Sequence, residues 1–85
     1  MQNTQYESVV IATIQNFAAL ISNAAHDSVV EKNDYSIDDN VQALNFVYEN
    51  FTAHTSVASL ASAALNSNLD TVVRENINAQ LTYIN

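Results

Sequence analysis

The 85-residue chain contains no glycine, no proline, no cysteine and no tryptophan. Without glycine or proline, turns that need positive φ and enforced helix breaks are scarce, so long uninterrupted helices are the natural expectation. The absence of cysteine excludes disulfides, thiolate metal sites and cysteine nucleophiles, and it leaves the redox compartment unmarked. Glycine is also what a nucleophile elbow, a phosphate-cradling loop and an acidic metal loop require, so each of those signatures is missing. The expectation is a non-enzymatic protein with no catalytic residues, no cofactor and no metal.

Positive charge is nearly absent as well. Lys32 and Arg74 stand against nine acids, for a net charge of −7. A chain with two cations cannot neutralise a run of phosphates, which argues against nucleic acid as a partner, and anionic membrane surfaces are disfavoured for the same reason. The longest apolar stretch, Val9 to Ile21, is interrupted by Thr13, Gln15 and Asn16 and is too short to span a bilayer. No secretory leader is expected from the first residues, which hold no Lys or Arg, and the default location is cytoplasmic.

Polarity comes instead from Asn, Ser, Thr and Gln, which fill 31 of the 85 positions, while charged residues make up only 13%. Amides and hydroxyls exchange hydrogen bonds across an interface without burying charge, so such a surface is cheap to desolvate. A chain this short also sits near the lower limit for a self-sufficient core, and oligomerisation is a common remedy. Association with copies of itself, or with a protein partner, is therefore expected.

Periodicity supports a single all-helical domain over residues 1–85. Thr4-Gln5-Tyr6-Glu7 fits a capping box, and Val10, Ile14, Phe17, Ile21, Ala24 and Ser28 follow spacings of four and three, predicting a helix over about 4–32. The period lapses in an acidic loop near 33–36. Ser36 followed by Asp39 resembles a second cap, so another helix is expected over about 37–66. Its heptad series Ile37, Leu44, Phe51, Ala58, Leu65, Val72, Ala79 contains no polar residue, which favours a helix–helix seam. Asn66-Ser67-Asn68 is the best candidate for a break, ahead of a helix over about 69–83.

The predicted fold class is all-α: an antiparallel helical hairpin of two long helices, with room for a shorter third, packing into an oligomer or helical bundle. Folding about residue 35 sets position i opposite 70 − i. Ala18 to Ser28 then face Leu44, Phe46, Val47, Tyr48 and Phe51, and Tyr6, Val9, Val10, Ile11 and Ile14 face the small run 56–64. Val29, Val30, Phe46, Leu60 and Val73 lie off these seams and need the third helix or another chain. The residues expected to carry self-association are Val10, Ile14, Phe17, Ile21, Leu44, Tyr48, Phe51 and Leu65.

Other candidates are fewer. His26 and His54 fall near Leu44 and Asn16 in this register, do not meet, and show no metal-ligand spacing, so surface or interface roles are expected. Asp27, Glu31, Asp34, Asp38 and Asp39 cluster around the loop with only Lys32 opposing them. They form either a solvated tip or an electrostatic gate on assembly, because crowded carboxylates hold their protons more tightly and acidification would remove repulsion between stacked copies. Asn50-Phe51-Thr52 matches a glycosylation acceptor by chance, in mid-helix.

Two family resemblances add to this reading. Ser22-Asn23-Ala24-Ala25-His26 and Ala43-Leu44-Asn45-Phe46-Val47-Tyr48-Glu49-Asn50 resemble the R-body structural proteins, the killing-trait family of small Ala/Asn/Gln-rich bacterial proteins. That resemblance implies a subunit polymerising into a coiled ribbon that extends when pH falls. Ser36-Ile37-Asp38 and the ending Leu81-Thr82-Tyr83-Ile84-Asn85 resemble acyl carrier proteins, which implies phosphopantetheine on Ser36, although Tyr35 stands where that family has Asp. The leading expectation is a structural or interaction protein, with an acidic phage-type inhibitor or nucleic-acid mimic filling a basic groove as the alternative and an acyl-carrier-like module third.

Overall fold

The computed structural model describes the backbone of residues 4–26 and 34–84, and side chains within those limits except residues 4, 24–26 and 84. Among the described residues four α-helices follow in order, α1 (Thr4–His26), α2 (Ile37–Asn50), α3 (Val57–Leu65) and α4 (Thr71–Ile84), with a 3₁₀ turn at Phe51–Ala53. No strand occurs among the described residues. The all-α class expected from the sequence is what is found, and α1 packs most extensively against α2.

α1 begins where the periodicity places it. Its continuation to residue 32 and the hydroxyl of the Thr4 cap both lie outside the described residues. α2 starts at the expected cap: the Ser36 Oγ accepts from the Asp39 amide at 3.0 Å, and Asp39 Oδ2 accepts from the Ser36 amide at 3.2 Å. Each side chain thereby satisfies a donor that the helix end would otherwise leave bare.

The continuous helix expected over 37–66 is corrected: it ends at Asn50 and a new helix starts at Val57. Thr52, His54, Thr55 and Ser56 are all indifferent helix formers whose side chains compete for backbone groups. His54 turns extended, with its amide reaching the Phe51 carbonyl at 3.4 Å. Ser56 then caps α3 by accepting the Ser59 amide at 3.1 Å. The weaker interruption at 66–68 is present too, with the last helix starting at Thr71 against an expected 69.

Helix ends without glycine are closed by asparagine. Asn50 and Asn66 sit at φ/ψ of −106/−5 and −98/7, the bridge region that all L-residues tolerate. Each folds its side-chain amide back onto the carbonyl four residues earlier, Asn50 to Phe46 and Asn66 to Ser62, both at 2.9 Å. The Ser62 carbonyl also accepts the Asn66 backbone amide at 3.1 Å, so the side chain adds a second donor, and the Ala64 carbonyl is met by the Ser67 amide at 3.2 Å. Arg74 adds a cation there, donating from Nη1 to the Leu65 carbonyl and from Nη2 to Thr71 Oγ1, each at 3.0 Å.

The break moves the register. Tyr6 packs its ring on Phe51, with centroids 6.2 Å apart, and donates its hydroxyl to the Phe51 carbonyl at 2.8 Å. Phe51 was expected opposite Ala19. Because the arm stops at residue 50, α2 is the part of it that pairs with α1 as a hairpin, and the start of α1 meets the end of α2 at Phe51. α3 and α4 fold back to complete the core, which is Tyr6, Val10, Phe17, Ala43, Val47, Leu60, Ala64, Val73, Ile77 and Leu81. The heptad series is accordingly not the core seam: Ile37, Ala58, Leu65, Val72 and Ala79 are exposed. Leu60 and Val73, which needed a further helix, are fully covered within the chain, and Phe46 is half-buried; Val29 and Val30 lie outside the described residues.

Candidate functional site

The described surface is best read from the core stripe outward. α1 turns Tyr6, Val10, Thr13 and Phe17 inward, with exposures from 0 to 7%. The single hydroxyl in this stripe, on Thr13, donates to the Val9 carbonyl at 2.8 Å, which removes the cost of burying it. At about 100° per residue, Val9, Asn16 and Leu20 fall on one flank of that stripe and Ile11, Ile14, Ala18 and Ile21 on the other. The Asn16 amide bonds the Gln80 carboxamide oxygen, so α4 lies along the first flank. The Ile11–Ile21 flank points away from it.

α2 has the same arrangement. Asn40, Ala43 and Val47 are its buried positions. Ile37, Val41, Leu44 and Tyr48 form a neighbouring stripe at spacings of four, three and four. With the hairpin antiparallel and Tyr6 against Phe51, the register sets Ile11 level with Tyr48, Ile14 with Leu44, Ala18 with Val41 and Ile21 with Ile37 along the two helices. Ile11, Ile37 and Tyr48 are 49, 41 and 67% exposed, Ala18 is exposed, and the other four are half-buried. None of the eight carries a charge. The remaining exposed large apolar residues, Leu65, Val72 and Tyr83, are spread over the last turn of α3 and opposite ends of α4.

The eight residues expected to self-associate therefore divide. Val10 and Phe17 are fully buried inside the chain, so in this fold they meet no second molecule. Phe51 is half-buried against Tyr6. Ile14, Ile21, Leu44 and Tyr48 lie on the flanks beside the core stripes, Ile14 and Leu44 half-buried against the core and Tyr48 exposed, and Leu65 is exposed elsewhere. Ile11, Val41 and Ile37 join those flanks without having been singled out for them, and the signal that could have found them is the four–three–four spacing beside the core stripe.

Two polar contacts inside the fold were also missed. Asn76 Nδ2 donates to Asn40 Oδ1 at 3.0 Å with both residues buried, and Asn40 Nδ2 donates in turn to the Ser36 carbonyl at 3.0 Å. This chain of amides fixes where α4 sits on α2, since a shifted register would strand buried donors. Asn76 lies within the apolar set Leu69, Val73, Ile77 and Leu81, which marks it as inward-facing.

Of the acidic cluster, Asp34 and Asp38 are exposed, Asp39 is engaged in the α2 cap, and Asp38 Oδ2 accepts from Gln42 at 2.8 Å. Asp27 and Glu31 lie outside the described residues, as does the side chain of His26. His54 is not near Asn16: its Nδ1 bonds Ser59 Oγ at 2.8 Å, because the chain turns at this residue. The exposed Ser36 hydroxyl is occupied as a helix cap, a role that needs no prosthetic group. Burial pushes the Tyr6 phenol above its usual value of 10.0. Among the described residues no group of three or more His, Asp or Glu side chains is placed to hold a metal ion, and no helix is long and apolar enough to cross a membrane.

Compared with known proteins, the chain matches no family model, no curated protein and no solved structure.

Proposed function

We propose that this all-α chain is a non-enzymatic structural or interaction protein that associates with further copies of itself through the free face of the α1–α2 hairpin. The observation that carries this reading is the uncharged apolar belt Ile11, Ile14, Ala18, Ile21, Ile37, Val41, Leu44 and Tyr48 on a molecule of net charge −7. The belt itself holds no charge, exposed Glu7 standing one turn beyond Ile11 at its end, and each Å² of apolar surface removed from water contributes about 25 cal/mol. Ala18 lets a partner helix approach closely. Of the belt, Ile14 and Leu44 also pack against the fold's own core, while Ile11, Ile37 and Tyr48 remain exposed.

A dilution series followed by NMR tests the reading. Amide signals of Ile11, Ile14, Val41, Leu44 and Tyr48 should move with concentration while those of Ala79 and Thr82, on the outer side of α4, stay fixed. Shifts confined to α4, or none at all, would remove the proposal. The finer idea of a polymer whose loop end gates stacking rests on Asp34 and Asp38 being exposed there. Replacing both by Asn should then promote larger assemblies, and unchanged particle size would count against it.

A second reading, an acidic inhibitor filling a basic groove, is supported by the six exposed acids Glu7, Asp34, Asp38, Glu49, Asp70 and Glu75. Ionic strength separates the two: groove binding weakens steeply with added salt, whereas apolar association does not.

A further inference from the structure

α3 and α4 form a unit joined to the α1–α2 hairpin through residues 51–56. They pack on each other, and Arg74 ties them together by donating to the Leu65 carbonyl and to Thr71 Oγ1. Their Leu60, Ala64, Val73, Ile77 and Leu81 are five of the ten residues of the buried apolar core, so the hairpin alone has half a core. The Asn40–Asn76 and Asn16–Gln80 bonds also run between this unit and the hairpin. We propose that the unit exchanges between two copies of the chain: the α3–α4 unit of each closes the core of the other, and residues 51–56 straighten to join α2 and α3 as one helix.

The joint carries no residue that obliges it to bend. Phe51 is still helical at φ/ψ −59/−42, and the backbone turns extended at His54 and Ser56, at −131/161 and −145/153. Neither glycine nor proline locks these angles, and the heptad runs unbroken through Phe51 and Ala58. The bend is held by the Ser59 amide on Ser56 Oγ at 3.1 Å and by the His54 Nδ1 to Ser59 Oγ bond at 2.8 Å, both exposed. A straight helix replaces them with backbone bonds. The contacts of the unit with the hairpin are made by the same residues in either form, so the exchanged pair gives up little beyond the entropy of association, which concentration offsets. Exchange requires the unit to leave the hairpin. The pair therefore forms during refolding at high concentration and persists on dilution, and it does not depend on the belt.

The experiment refolds the whole chain carrying Asn16→Cys and Gln80→Cys from urea at high and low concentration, separates the products by size and treats each with a short bismaleimide. The chain has no cysteine of its own, so the two thiols meet within one chain in the closed form and between chains in the exchanged one. The expected result is a fraction of twice the one-chain mass, formed at high concentration, that stays covalently dimeric on a denaturing gel, with or without Tyr48→Lys. Ser56→Ala, which removes a contact of the bent form alone, should favour that fraction roughly fivefold for each chain. Thr55→Pro follows a residue already extended and blocks a helix through the joint, so it should reduce the fraction by about tenfold or more. A dimeric fraction cross-linked only within chains would overturn the proposal. So would its absence at every refolding concentration, or its indifference to Thr55→Pro.

Discussion

Single side chains set the stability of this molecule at the places where a helix must end or a polar group must be buried. Ser56 is one: it caps α3, and Ser56→Ala should lower stability by about 1 kcal/mol in urea unfolding. The Asn40–Asn76 pair is another. Asn76→Ala strands buried amide capacity and should cost about 1–3 kcal/mol, whereas replacing both residues by Leu should recover much of that loss. Tyr6 gives a pH signature. Its folded-state pKa is raised by burial, so its contribution is fully present below the unfolded value of 10.0 and is lost as pH rises through the folded one. The urea midpoint should fall as the pH is raised through the phenol range, and Tyr6→Phe should flatten that fall.

Helices were legible where a cap and a period coincide. The Ser36–Asp39 box and the spacing from Val10 to Phe17 each located an element. The break after Asn50 was not legible by the same criteria, because no glycine or proline marks it and Phe51 and Ala58 keep the heptad unbroken. What decides it is tertiary: an arm split at residues 51–56 lets α3 and α4 return over the hairpin and bury Leu60, Ala64, Val73 and Ile77. Local propensity at Thr52, Thr55 and Ser56 permits that outcome. Phe51 pins the turn, so Phe51→Ala should cost about 3–5 kcal/mol and loosen the start of α1, read as lost amide protection around Tyr6.

At the level of the whole molecule, apolar stripes in the sequence do not by themselves say which neighbour covers them. Val10 and Phe17 are covered within the chain, and of the eight residues first expected only Ile14, Ile21, Leu44 and Tyr48 lie on the hairpin's outer flanks. That division also changes the choice of test variant. Phe51→Asp would damage the fold itself, whereas Tyr48 is 67% exposed and can be changed without touching the core. The mass of the chain in solution, measured by size-exclusion chromatography with light scattering over a range of concentrations, tests the central claim most directly. The wild-type protein should rise above the 9.3 kDa of one chain, Tyr48→Lys should hold it at that mass, and Tyr83→Lys, at a still more exposed position on α4, should leave the rise intact. A wild-type chain that stays at one-chain mass at every concentration would contradict the account, as would equal disruption by the two lysine variants.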